Sequence, residues 1–247
     1  MDVDRPERIT SAPAPSLARR ARIALLATIA VTAVLYAVPQ LQIVAYPLVL
    51  IGTLVHELGH GITAVLVGGQ FHSLAVYADG SGVAGWGHQA DQVGRVGRAA
   101  VAAGGLVGPA VAAAILFPLA RRPATARWVL GAIGVLLAIA LLLVVRNGFG
   151  IALVGILAAV SLALAIKGSA QVAQYALIFL AVQLSLSVFA RADYLFTETA
   201  HTGAGTHPSD VAHMAEALVL PYWFWGAACG LFSIAVLAGG TWLLIRR

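Results

Sequence analysis

The sequence predicts an all-α polytopic membrane protein of about seven transmembrane helices, with a small β-hairpin-like loop after the second. Three observations carry that expectation. Of 247 residues, 60% are apolar and only 10% are charged, against about a quarter charged in soluble domains. The apolar residues gather in runs long enough to cross the roughly 30 Å of a bilayer core. Between the runs stand Pro, Gly and charged residues, the groups that end helices. This composition excludes a water-soluble globule and a disordered chain. The single cysteine, Cys229, excludes an internal disulfide framework. The formal charge of +5 is spread as arginines beside apolar runs. That is the pattern of membrane flanks and not of a phosphate-binding stripe, so nucleic acid is not an expected partner.

Taken in order, residues 1–20 are polar, Pro-containing and charged on both signs, and read as a flexible cytoplasmic tail. No short basic stretch leads directly into an apolar run with a small-residue cleavage site, so the tail does not resemble a signal peptide. Residues 21–247 form a single transmembrane domain. Seven segments reach the roughly 17–25 residues that a spanning helix needs: about 22–38, 43–67, 97–119, 127–145, 148–166, 171–190 and 220–244. Pro39 separates the first two, Arg121-Arg122-Pro123 follows the third, and Lys167-Gly168-Ser169 divides the fifth from the sixth. Arg146-Asn147-Gly148 leaves so short a break that the fourth and fifth spans form a tight hairpin. Residues 69–94 are Gly-rich with alternating runs such as Ser73-Leu74-Ala75-Val76-Tyr77, which predicts the β-hairpin. Residues 191–218 form a second polar loop holding many of the remaining acids and histidines. With the N-terminus inside, nine of the fifteen Lys and Arg residues fall on the inner side and six on the outer. This predicts a multi-pass protein of the cytoplasmic membrane with its N-terminus in the cytoplasm.

The chemistry concentrates in the second span, at His56-Glu57-Leu58-Gly59-His60. Two histidines four apart on a helix lie about 6 Å apart along the axis on nearly one face. Their ring nitrogens can converge on one Zn²⁺ at about 2.0–2.1 Å each. Glu57, beside the first histidine, is placed to take a proton from water at the metal. Three ionisable groups inside an apolar helix are costly there, which favours a metal site over a solvated polar face; a buried polar network without metal is the other reading. Catalytic zinc usually has three protein ligands. Asp193 directly ends the sixth apolar run and lies at the depth of the histidines, so it is the favoured third ligand. Asp210, beside Ser209 at a probable helix start, is the alternative, and helix capping is its plainer role.

Other polar residues invite weaker readings. His207, Asp210, His213 and Glu216 recur every three residues, as either a second exposed metal site or, more simply, a solvated amphipathic segment. His72, His88 and His201 read as polar loop surface. Asn147 could bond a substrate backbone or cap a helix. Gly104-xxx-Gly108 and Gly226-xxx-Gly230 permit close helix approach, and Gly108-Pro109 loosens the third span.

These residues resemble the site-2-protease family of intramembrane zinc metallopeptidases. His56-Glu57-Leu58-Gly59-His60 within a span, the Gly-rich hairpin after it and Gly108-Pro109 in the next span carry the likeness. The compact bacterial branch without a PDZ domain is the more similar, through Arg146-Asn147-Gly148-Phe149-Gly150, Ala192-Asp193-Tyr194-Leu195-Phe196 and Leu220-Pro221-Tyr222-Trp223-Phe224-Trp225. The likeness covers roughly residues 45–245. It implies zinc ligands His56 and His60 and a catalytic Glu57. Ala112 stands where better-studied members carry Asn, and their Leu-Asp-Gly setting is absent, so the third ligand does not carry over. The function expected is hydrolysis of peptide bonds in membrane-embedded or membrane-adjacent substrate proteins, presented as extended strands beside the 69–94 hairpin. The competing class is a non-enzymatic polytopic protein that binds or transports metal ions; no repeated half with matching broken helices supports a common transporter fold.

Overall fold

The structure, a computed structural model, describes residues 17–87, 93–190 and 192–246. The elements run α1 (Leu17–Ala37), α2 (Gln42–Leu66), β1 (Gln70–Val76), β2 (Gly82–Gly87), α3 (Arg95–Leu119), α4 (Pro123–Leu143), α5 (Gly148–Lys167) and α6 (Ala170–Leu186). After them come β3 (Thr199–Thr202), β4 (Gly205–Pro208), α7 (Asp210–Leu218) and α8 (Tyr222–Ile245), with 3-10 turns at Pro39–Leu41, Ser187–Phe189 and Ala192–Phe196. Six helices are long and apolar enough to cross a membrane: α2 with the turn leading into it, α3 to α6, and α8. The expected first span is shorter, its apolar part covering Arg22–Ala37. Of the expected tail, residues 1–16 lie outside the described residues, and Leu17 to Arg20 belong to α1. Large apolar side chains such as Ile43, Leu66, Trp128 and Leu142 face outward, as a multi-pass membrane protein requires.

Helix α3 is the hub, packed against α2, α6, α7 and α8. Lipid tails are as apolar as leucine, so helices associate through close packing and not through expulsion of water. Glycines supply that closeness. A side chain at Gly59 would overlap the Gly104 carbonyl, and one at Gly104 would overlap Thr63. On the opposite face of α3, Gly240 of α8 leaves room for the fully buried Phe117 ring. Polar groups tie α1 to α6: the Tyr36 hydroxyl donates to Gln183 Oε1 (3.0 Å), and Gln183 Nε2 donates to Thr32 (2.5 Å).

The hairpin expected at 69–94 is present as antiparallel β1–β2; residues 88–92, including His88, lie outside the described residues. Its turn is closed by Asp79, which accepts from the Ser81 N–H (2.8 Å) and hydroxyl (2.6 Å), and by Gly80 at φ +83°. Tyr46 and Thr53 of α2 donate to the Ala78 and Gly80 carbonyls at 2.7 and 2.8 Å, fixing the turn to the helix. The far edge of β1 is also occupied. Leu74 N–H donates to Val144 (2.7 Å), Arg146 N–H donates to Leu74 (3.0 Å), and Asn147 brackets the Val76 backbone at 2.6 and 3.2 Å. Asn147 therefore anchors the hairpin, and its side chain makes no capping bond to α5. Among the described strands, β2 pairs with β1 alone.

The segment 191–218 is folded, where the sequence suggested a loop. It forms a 3-10 turn, the β3–β4 hairpin and α7. The Ser209 hydroxyl accepts from the Ala212 N–H (3.2 Å) and donates to the Thr197 carbonyl (2.6 Å), capping α7. Val211 and Met214 then bury themselves against Ala102, Leu106, Leu195 and Cys229. This packing brings the start of α7 back to the middle of the molecule.

Candidate metal centre

The one-turn spacing of His56 and His60 places their rings edge to face, 4.7 Å between centroids, with the two Nε2 atoms 3.1 Å apart. Ring orientation at His60 is set by α3: its Nδ1 lies 2.8 Å from the Val101 carbonyl. A carbonyl only accepts, so Nδ1 carries the proton and the Nε2 lone pair faces inward. Gly105 makes this fit possible, since a Cβ there would overlap the His60 ring. The glycines of α3 thus shape the centre as well as the helix crossing.

Asp210, first residue of α7, completes the group. Its Oδ2 is 3.1 Å from His56 Nε2 and its Oδ1 is 3.3 Å from His60 Nε2. Among the described residues these are the His, Cys, Asp and Glu side chains that gather as a possible metal site. Burial disfavours the Asp210 carboxylate, yet the charge and hydrogen bonds of His60 and His56, when these are protonated in place of holding a metal, outweigh it and hold the carboxyl well below the usual range. Of the two aspartates weighed from sequence, the structure brings Asp210 to the imidazoles. The Asp193 side chain lies outside the described residues.

The donor set fits zinc. Ligand bonds of about 2.0–2.1 Å in a tetrahedron give ligand-to-ligand edges of about 3.3–3.4 Å; the two imidazole Nε2 atoms are 3.1 Å apart, and each has one oxygen of the Asp210 carboxylate near it, at 3.1 and 3.3 Å. Two imidazole nitrogens and a carboxylate turn lone pairs on one small, largely buried volume, an arrangement that a cation satisfies.

Around this group stand Glu57 and Tyr194. Glu57 is 5% exposed, within hydrogen-bonding reach of the Ala84 backbone, and Gly82 leaves space for its side chain. The Tyr194 hydroxyl donates to Asp210 Oδ2 (3.2 Å), and its ring meets His56 edge to face at 6.2 Å. Burial, with the Asp210 charge beside it, pushes the Tyr194 hydroxyl up, so it stays a protonated donor. Sequence reasoning missed Tyr194, although it directly follows Asp193. Two clefts meet here, and His56, Glu57, Gly82, Tyr194 and Thr202 line both. The remaining polar candidates do not join the centre. His201 faces Thr206 (3.0 Å), His207 faces Thr202 (3.1 Å), and His72 is exposed on β1. No second metal group involving His207, His213 or Glu216 forms among the described residues.

No curated protein and no solved structure matches the chain significantly. The profile of the family described as Peptidase M50B-like matches residues 25–240, a stretch that contains both histidines, Glu57, Tyr194 and Asp210. On that match over most of its length, the chain belongs to the Peptidase M50B-like family of membrane metallopeptidases.

Proposed function

We propose that the chain is an intramembrane zinc metalloendopeptidase, hydrolysing peptide bonds of membrane-embedded or membrane-adjacent substrate proteins. The observation that carries this reading is the convergence of two imidazole nitrogens and the Asp210 carboxylate, within 4.8 Å of one another, with Glu57 beside them. His56, His60 and Asp210 would hold the ion. Zinc bound there supplies a Lewis acid for a peptide carbonyl and for the attacking water.

The other steps fall to the chain's own groups. Glu57 takes the proton of the attacking water as general base and returns it to the leaving amine. Tyr194 holds Asp210 by its hydroxyl, and Val101 holds His60, so both donors keep their orientation. Leu74 turns its N–H and carbonyl toward Val144 and Arg146, so Ala84, its cross-strand partner, turns its own toward the outer edge of β2, where Glu57 lies. An extended peptide paired along that edge would pass over Glu57. A helical substrate must unwind first, because its carbonyls are engaged in its own hydrogen bonds. The proposed setting is the cytoplasmic membrane, N-terminus in the cytoplasm, with water entering from that side.

Glu57→Gln tests the reading. Zinc content is expected to stay at the wild-type level, while hydrolysis of a reconstituted substrate falls about 10²–10⁴-fold. Turnover within a few-fold of wild type would remove Glu57 from the chemistry, and a metal carrier would be indifferent to the change.

A further inference from the structure

The two clefts that meet at the metal centre are lined by different charged groups. The first runs between α2, α3 and the 187–195 segment, where Leu106, Pro109 and Val188 stand beside Thr53, Ser187 and His201. The second follows the outer edge of β2, past Trp86, to Arg98, His207 and His213. Arg98 carries a permanent charge, and no carboxylate among the described residues forms an ion pair with it. His213 is exposed on α7, one turn beyond Asp210. Among the described residues, the carboxylates lining the two clefts are Glu57 and Asp210, both committed to the centre. A peptide crossing the centre thus leaves a cleft with no Lys or Arg among its described residues and enters one that Arg98 makes positive.

We infer that Arg98, with His213 and His207, forms a subsite for an acidic side chain of the peptide on one side of the scissile bond. This rests on the peptidase reading above and adds its substrate class. Arg98 supplies charge-assisted hydrogen bonds to the carboxylate, and the histidines supply further ring N–H donors.

The test uses fluorescent peptides carrying one apolar segment flanked by Glu-Glu, Gln-Gln or Lys-Lys, with the flank at either end. Affinities are read by anisotropy on the zinc-loaded Glu57→Gln protein in neutral-lipid nanodiscs, so the peptides stay intact; cleavage is read by mass on wild type. The Glu-flanked peptide is expected to bind about tenfold tighter than the Lys-flanked one in at least one orientation. Arg98→Glu reverses the order, Arg98→Gln flattens it, and wild type cuts within a few residues of the junction. Equal affinities, no binding of any peptide, or an order indifferent to both Arg98 substitutions would overturn the subsite. Arg98→Glu weakening attachment to phosphatidylglycerol vesicles without altering the peptide order would assign these cations to lipid headgroups and overturn it too. Acid-selective binding without cleavage would uphold the subsite and sink the peptidase reading.

Discussion

Gly105→Ala is the sharpest single perturbation of the centre. A Cβ at Gly105 would lie well inside van der Waals contact with the His60 ring. That ring cannot simply rotate away, because its Nδ1 is held 2.8 Å from the Val101 carbonyl. Restoring an ordinary carbon contact, near 3.4 Å at its tightest, demands a displacement on the order of 1 Å, several times the ±0.2 Å tolerance of a metal–ligand bond. Zinc affinity is therefore expected to fall at least about a hundredfold, or about 3 kcal/mol. Helix propensity moves the other way, since alanine is favoured over glycine in a helix by about 1 kcal/mol, so the protein remains folded. The assay is a competitive chelator titration on detergent-purified protein, beside circular dichroism for fold. Gly239→Ala is the control, for a Cβ there meets nothing within 4 Å. Gly105→Ala binding zinc within threefold of wild type would refute the reasoning that α3 sets the His60 ligand.

Tyr194→Phe removes the hydroxyl that donates to Asp210 and leaves the ring; zinc affinity is expected to drop about 10–100-fold by the same titration, with a shifted d–d spectrum in the cobalt-loaded protein. Asn147→Ala deletes both bonds to Val76, costing about 1–3 kcal/mol locally; hydrogen exchange at the β1–β2 hairpin rises and hydrolysis falls, while zinc content holds because the donors sit on α2 and α7. Stripping zinc with a chelator lowers the thermal midpoint, and zinc at a hundred times its Kd restores about 2.7 kcal/mol of stability; a midpoint indifferent to zinc would contradict a site present only in the folded state.

The membrane class, the hairpin and the histidine pair were legible because each depends on local pattern: apolar run length, alternation at Ser73 to Tyr77, and one-turn spacing at His56 and His60. What failed to show was whatever depended on the chain's return. Placing Asp193 by depth treated 191–218 as a line leaving the membrane. In the fold, Ser209 caps a helix whose Val211 and Met214 pack against α3, and this swings Asp210 inward. The capping role expected near Ser209–Asp210 was real, but Ser209 fills it and frees the aspartate. Asn147 likewise serves β1, a partner 71 residues away that no local pattern announces. The glycines of α3 were readable as packing residues; their second duty, giving His60 its place, needed the helix crossing itself.

Metal content of the purified protein tests the central claim most directly, with wild type measured beside His56→Ala, Asp193→Ala and Asp210→Ala. About one zinc per chain is expected, kept in Asp193→Ala and lost in His56→Ala and Asp210→Ala. Folded wild-type protein that takes up no zinc, or that keeps it without Asp210, would contradict the assignment of this centre.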